Sequence, residues 1–186
     1  MIRRTLFLTF LLAGCATAPG AGTGAPQAPL ALAAAPFPET GSAAERTQIA
    51  LDRINRLEPQ VNAVIAVEPA ALDEARALDR GALRGPLYGM PIMVKDNIET
   101  KGGLPTTAGS LALKDNVTGR DSPLVARLRQ AGAVIVAKTN LSEWANFRDG
   151  DSISGWSAVG GQTRNPHALD RNACGSSTGS GVVVAA

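Results

Sequence analysis

Lys95 ends the short apolar run Ile92-Met93-Val94-Lys95, and Ser176 and Ser177 sit in Cys174-Gly175-Ser176-Ser177-Thr178-Gly179-Ser180-Gly181. These are the residues whose types could do covalent chemistry together. A serine hydroxyl attacks a carbonyl carbon once a base takes its proton, and a neutral lysine can be that base. An amine at a strand end can be partly desolvated, which lowers its pKa and yields the neutral form near physiological pH. Asp96 need not cancel this, because adjacent strand residues point to opposite faces. The bland reading of Lys95 is a solvated surface charge.

The Gly/Ser segment admits other readings. By composition it is a flexible loop. Gly175-x-Ser177-x-Gly179 also fits the elbow that presents the nucleophile of α/β-hydrolase esterases. That elbow needs a strand directly before its serine, whereas residues 165–172 form a polar turn region. It also needs a histidine after the serine, and the single histidine, His167, precedes it and reads as a loop residue. A phosphate loop fits worse, since no Gly-Lys-Ser/Thr closes the glycines.

The elements that must hold these residues occupy only part of the 186-residue chain. Residues 1–14 read as a signal peptide: Arg3 and Arg4 precede an apolar stretch too short to span a bilayer. Leu12-Ala13-Gly14-Cys15 has the form of a bacterial lipobox, with cleavage before Cys15 and a lipid anchor on its sulfur. An ordinary secretory signal is the alternative. The expected location is therefore the bacterial cell envelope, facing the periplasm. Residues 15–38, rich in Ala, Pro and Gly, read as a flexible tether, and residues 39–186 as the folded part. Without residues 1–14 the chain keeps 16 basic and 16 acidic residues, which offers no footprint for nucleic acid. One histidine and no CxxC give no metal site, and no organic cofactor is implied.

Ser42-Ala43-Ala44-Glu45 has the pattern of a capping box opening a helix through Ala50, Ile54 and Leu57, with Pro59 as its stop. Val61, Ala63, Ile65 and Val67 alternate like a strand, and Pro69 opens a helix through Leu72, Ala75 and Leu78. Residues 92–95 read as a strand. A third helix starts at Ser122-Pro123 with Leu124, Val125 and Leu128 inward, and ends at Gly132. Residues 133–137 read as a buried strand, so strand, helix and strand predict a parallel βαβ unit in an α/β fold. Residues 141–147 read as a short helix and 150–180 as loop, with a buried helix beginning at Gly181. Trp144, Phe147 and Trp156 cluster; they read as core or as one wall of a substrate pocket.

Four blocks then carry a resemblance. Gly89-Met90-Pro91-Ile92-Met93-Val94-Lys95-Asp96-Asn97, residues 131–140, Gly161-Gln162-Thr163-Arg164-Asn165-Pro166 and Cys174-Gly175-Ser176-Ser177 occur in the order and spacing of the amidase signature family. The resemblance covers about residues 42–186. Residues 140–148 and 151–157 look closest to its bacterial peptide amidase branch, which removes C-terminal amides from peptides. The export signal argues against the cytosolic role of the tRNA-dependent relatives. The resemblance implies a mixed β-sheet flanked by helices and a Ser–cis-Ser–Lys acyl-enzyme mechanism without metal or cofactor. Lys95 would be the base and Ser176 the bridging serine on a cis peptide bond. Ser177 would be a neighbour hydrogen-bonded near Lys95, and Gly150 and Asp151 would contact the peptide substrate.

The family's nucleophile and oxyanion hole lie a short way beyond the Ser176 motif, and nothing follows Ala186 to supply them. The expectation is a truncated chain that hydrolyses no amide, exposes residues 134–136 and 182 as apolar patches, and aggregates. An esterase using Ser177, or a lipoprotein fragment that only binds partners, are the alternatives.

Overall fold

The computed structural model describes residues 36–82 and 84–186. The signal peptide, Cys15 and the tether up to residue 35 lie outside the described residues. Among the described residues no helix is long and apolar enough to cross a membrane.

Helix α1 spans Ala43–Val61, and both halves of its capping box form: Glu45 N–H donates to Ser42 Oγ at 3.1 Å, and Ser42 N–H to Glu45 Oε2 at 2.9 Å. The N–H groups of Ala43 and Ala44, orphans of the first turn, donate to the Asp79 carboxylate of α2 (Ala71–Arg80). Pro59 does not stop α1. A proline in the last turn deletes one backbone bond only, and the helix closes at Asn62, whose φ of 51° is left-handed. Val61 therefore belongs to the helix, and strand β1 is Val64–Val67.

Strand β2 (Pro91–Lys95), α3 (Pro123–Gln130) and β3 (Val134–Thr139) form the expected parallel βαβ unit. Ser122 caps α3 with Pro123 at its first position. Leu124 turns outward, 53% exposed, because the helix presents Val125 and Leu128 to the sheet and Leu124 lies off that stripe. Strand β1 joins β3 antiparallel, so the sheet is mixed with order β1-β3-β2.

All six residues of the central strand β3 are buried. Val134 and Val136 pack with Ala43, Ile54, Ala71 and Ala75 of α1 and α2, while Ile135 packs with Val94 and Val125 on the α3 side. The expected apolar patch over residues 134–136 is therefore absent, since two strands and three helices cover it. Val182 is likewise buried, while Val184, two residues on, is 88% exposed.

The expected helix over 141–147 is a single 3-10 turn, Glu143–Asn146, with Trp144 and Ala145 at positive φ. Trp144 N–H donates to the Ala108 carbonyl at 2.9 Å, while Ala145 and Phe147 N–H donate three residues back, to Ser142 and Trp144, so no α-helical turn closes. The stretch expected as loop contains two small ribbons, β4 (Trp156–Ser157) with β5 (Gly161–Gln162), and β6 (Arg164–Asn165) with β7 (Ala168–Asn172). Helix α4, Thr178–Ala185, starts three residues before Gly181.

Candidate active site

Lys95 stands at the last position of β2, paired in register with Thr139 of β3. Its Nζ lies 2.7 Å from Ser176 Oγ, across 81 residues of sequence. Burial alone lowers the Lys95 pKa below its ordinary 10.5, which favours the neutral amine a base requires. Asp96 does not hold the amine charged, because its carboxylate points to the other face and bonds Thr107.

The turn that carries Ser176 is fixed from three sides. The Gly175–Ser176 peptide bond is cis. The Ser176 carbonyl accepts from Ser142 N–H at 3.0 Å, and Thr178 Oγ1 donates to the Cys174 carbonyl. A Cβ on Gly175 would stand 2.5 Å from Ser142 Oγ and 2.7 Å from Thr178 Oγ1, so only glycine fits there. Gly179 is the second such position: its Cβ would meet the Ala63 carbonyl at 2.2 Å, because the first turn of α4 lies directly on the ends of β1 and β3. There Gly179 N–H donates to the Asn140 carbonyl at 2.9 Å.

Asn140 is fully buried and uses its whole side chain. Its Oδ1 accepts from Leu141 N–H and Ser157 Oγ, and its Nδ2 donates to the Gly161 carbonyl and Thr163 Oγ1, all within 3.0 Å. This one residue ties the end of β3 to the β4–β5 ribbon.

Among the described residues the other serines of this segment make no hydrogen bond to the lysine. Ser177 is exposed at the N-cap of α4, and its hydroxyl makes no hydrogen bond among the described residues. The expected bond near Lys95 is not formed, because the turn aims Ser176 at the amine and Ser177 at solvent. No base is bonded to Ser177 either, and His167 lies in the β6–β7 turn, so the elbow reading has no geometry behind it. Ser180 Oγ pairs with Thr139 Oγ1.

The core reading of the aromatic cluster does not hold: Trp144 and Trp156 are 37% and 41% exposed, and Phe147 is 88% exposed. The two tryptophans line a pocket of about 330 Å³ with Glu143, Arg148, Asp151 and Ile153. Asp151 is on its wall, while Gly150 is exposed and does not line it. Ser142 links the Ser176 turn to the segment before Trp156: its N–H holds the Ser176 carbonyl and its Oγ accepts from Gly155 N–H at 2.8 Å. A larger hollow of about 650 Å³, lined by Ile54, Glu58, Asn62 and Arg164, contains neither Lys95 nor Ser176.

Sequence reasoning missed Lys138, which is fully buried and donates to Thr106 Oγ1 and the Ile98 carbonyl. Its signal was available: Lys138-Thr139-Asn140 ends an apolar run just as Lys95-Asp96-Asn97 does.

A lysine bonded to a serine on a cis glycyl-seryl turn, at the end of a parallel β-strand, is the arrangement the amidase signature implies. Residues 45–186 match the family model described as Amidase, and the chain belongs to that family. It is 46% identical over 145 residues to an Arabidopsis thaliana protein named a probable amidase, covering 75% of this chain and 28% of that protein. It is 45% identical over 150 residues to a glutamyl-tRNA(Gln) amidotransferase protein of Salinispora arenicola, covering 78% of this chain and 29% of that one. The native peptide amidase of Stenotrophomonas maltophilia superposes with a TM-score of 0.75 at 54% identity, over 78% of this chain and 31% of that enzyme. A peptide amidase in complex with the competitive inhibitor chymostatin gives the same figures. The chain thus corresponds to the N-terminal portion of these relatives and spans less than a third of their length.

Proposed function

We propose that this chain carries the base and relay of an amide-hydrolysing serine site, acting on carboxamides and, within that class, on the C-terminal amides of peptides. The observation that carries the reading is the 2.7 Å contact between Lys95 Nζ and Ser176 Oγ. Neutral Lys95 takes the proton of the Ser176 hydroxyl while Ser176 takes that of the attacking serine. The attacking oxygen then bonds the amide carbon. Reversal of the relay protonates the departing nitrogen, which leaves as ammonia, and water later cleaves the acyl ester. Among the described residues Ser176 Oγ bonds Lys95 alone, so in this proposal the attacking hydroxyl comes from the family's length outside the match. The peptide half of the substrate occupies the Trp144–Trp156 pocket. The 54% identity to a peptide amidase supports the choice of substrate.

The test is a graft of residues 42–186 in place of the matching segment of the Stenotrophomonas maltophilia enzyme. Ammonia release from a peptide amide is expected, reduced by about 10²–10⁴ in Lys95→Ala or Ser176→Ala. A Lys95→Ala graft at full rate overturns the proposal.

We further propose that Cys15 anchors the protein in the cell envelope through a lipid on its sulfur, on the strength of Leu12-Ala13-Gly14-Cys15. Expression in a bacterium with labelled palmitate would mark the wild type and spare Cys15→Ser; an unlabelled wild type refutes it.

A further inference from the structure

Asp96 and Lys138 are both fully buried, yet neither touches Ser176 or lines the tryptophan pocket. Buried charges remain in a fold only when paired or hydrogen-bonded. Their bonds converge on one loop, residues 106–109. Asp96 Oδ2 accepts from both the N–H and the hydroxyl of Thr107, and the Asp96 carbonyl accepts from Ala108 N–H at 3.0 Å. From the other side Lys138 Nζ donates to Thr106 Oγ1 at 2.9 Å. Thr107 Oγ1 in turn accepts from Gly109 N–H. Asp96 Oδ1 is buried with no hydrogen bond; burial pushes the carboxyl up, and the Thr107 bonds and the Lys138 charge pull against it.

The loop passes this restraint outward. The Ala108 carbonyl receives Trp144 N–H at 2.9 Å, and the Gly109 carbonyl receives Val159 N–H at 3.1 Å. Gly109, at φ 79°, is so close to the same segments that a Cβ would stand 2.6 Å from Ser157 Cβ and 3.3 Å from Glu143 Cα. Trp144 thus hangs from one side of the loop and the Trp156–Ser157 strand rests on the other.

We propose that Asp96 and Lys138 are positioning residues for the Trp144–Trp156 pocket, acting through the 106–109 loop. The residue directly after Lys95 therefore sets the far wall of the peptide site, so base and pocket are registered by one strand end. The functional meaning rests on the pocket reading given above; the tether itself does not.

The chain contains two tryptophans, and both line this pocket, so its tryptophan emission, excited selectively over Tyr88, reports on that wall. Asp96→Leu removes the acceptor for Thr107, Asp96→Asn keeps one, and Val125→Ala weakens the core on α3 without removing any hydrogen bond of the loop. In the full chain, Asp96→Leu and Lys138→Met are expected to red-shift the emission and raise its quenching by acrylamide. Asp96→Asn is expected to restore the wild-type values, and Val125→Ala to lower Tm without moving them. Chymostatin, titrated as the peptide probe, should bind about three- to ten-fold more weakly to Asp96→Leu than to wild type. Emission in Asp96→Leu that matches wild type, or that moves no further than in Val125→Ala, overturns the proposal. Wild-type emission indifferent to chymostatin sinks the pocket reading instead, while the quenching data still decide the tether.

Discussion

Ser180 Oγ and Thr139 Oγ1 lie 2.8 Å apart, joining the first turn of α4 to the residue that pairs with Lys95 across the sheet. Ser180 is thereby occupied with the scaffold. Ser180→Ala should cost about 0.5–1.5 kcal/mol, the net worth of a part-buried hydrogen bond, measured by urea unfolding. Ammonia release by the grafted enzyme should survive it. Loss of turnover comparable to that of Ser176→Ala would mean that Ser180 takes part in the chemistry.

Lys95 must be neutral to accept a proton. Because burial lowers its pKa from 10.5, the ascending limb of the pH–rate profile should fall below that value and flatten above the shifted pKa. Acidification protonates the amine and removes activity. A profile still climbing through pH 10.5 would show an amine as solvated as a surface lysine.

Burial pushes the Lys138 ammonium down to about 8 from 10.5. Between those two values the unfolded chain holds a proton that the folded chain has released, so stability rises with pH across that window and is lowest below it. Lys95, also lowered, acts in the same direction. Denaturant midpoints of wild type should increase from pH 8 toward 10, and those of Lys138→Met should increase less. Equal slopes in the two proteins contradict the shift.

Asn140→Ala removes four hydrogen bonds, three of them buried and one part-buried. Its cost should be about 2–4 kcal/mol, above that of an ordinary surface change. Gly179→Ala should cost about 1–3 kcal/mol by overpacking, since its methyl would press on the Ala63 carbonyl. Thermal unfolding of the two variants measures both; a Tm within a degree of wild type for either would remove that residue from the clamp.

The helices and the βαβ unit were legible because their signals are local. Ser42 with Glu45, Ser122 with Pro123, and the apolar run 133–137 each announce an element within a few residues. Lys95 and Ser176 were legible as a pair because each sits in a distinctive short block. What stayed hidden depends on contacts far apart in sequence. The left-handed turn at Trp144 answers to Ala108, and the two-residue strands β4 and β5 answer to Asn140; neither leaves a period in its own residues. Pro59 misled for a related reason: a proline's effect depends on how much helix remains after it.

Ser142 has one further implication, for anyone who would retune substrate choice. Its N–H grips the Ser176 carbonyl while its hydroxyl grips Gly155, the neighbour of Trp156. The proposed relay and the proposed pocket wall therefore share a rivet. Lengthening or shortening the backbone between 142 and 155 would drag the relay out of alignment, whereas exchanging Trp144, Ile153 or Trp156 in place reshapes the cavity and leaves the rivet closed.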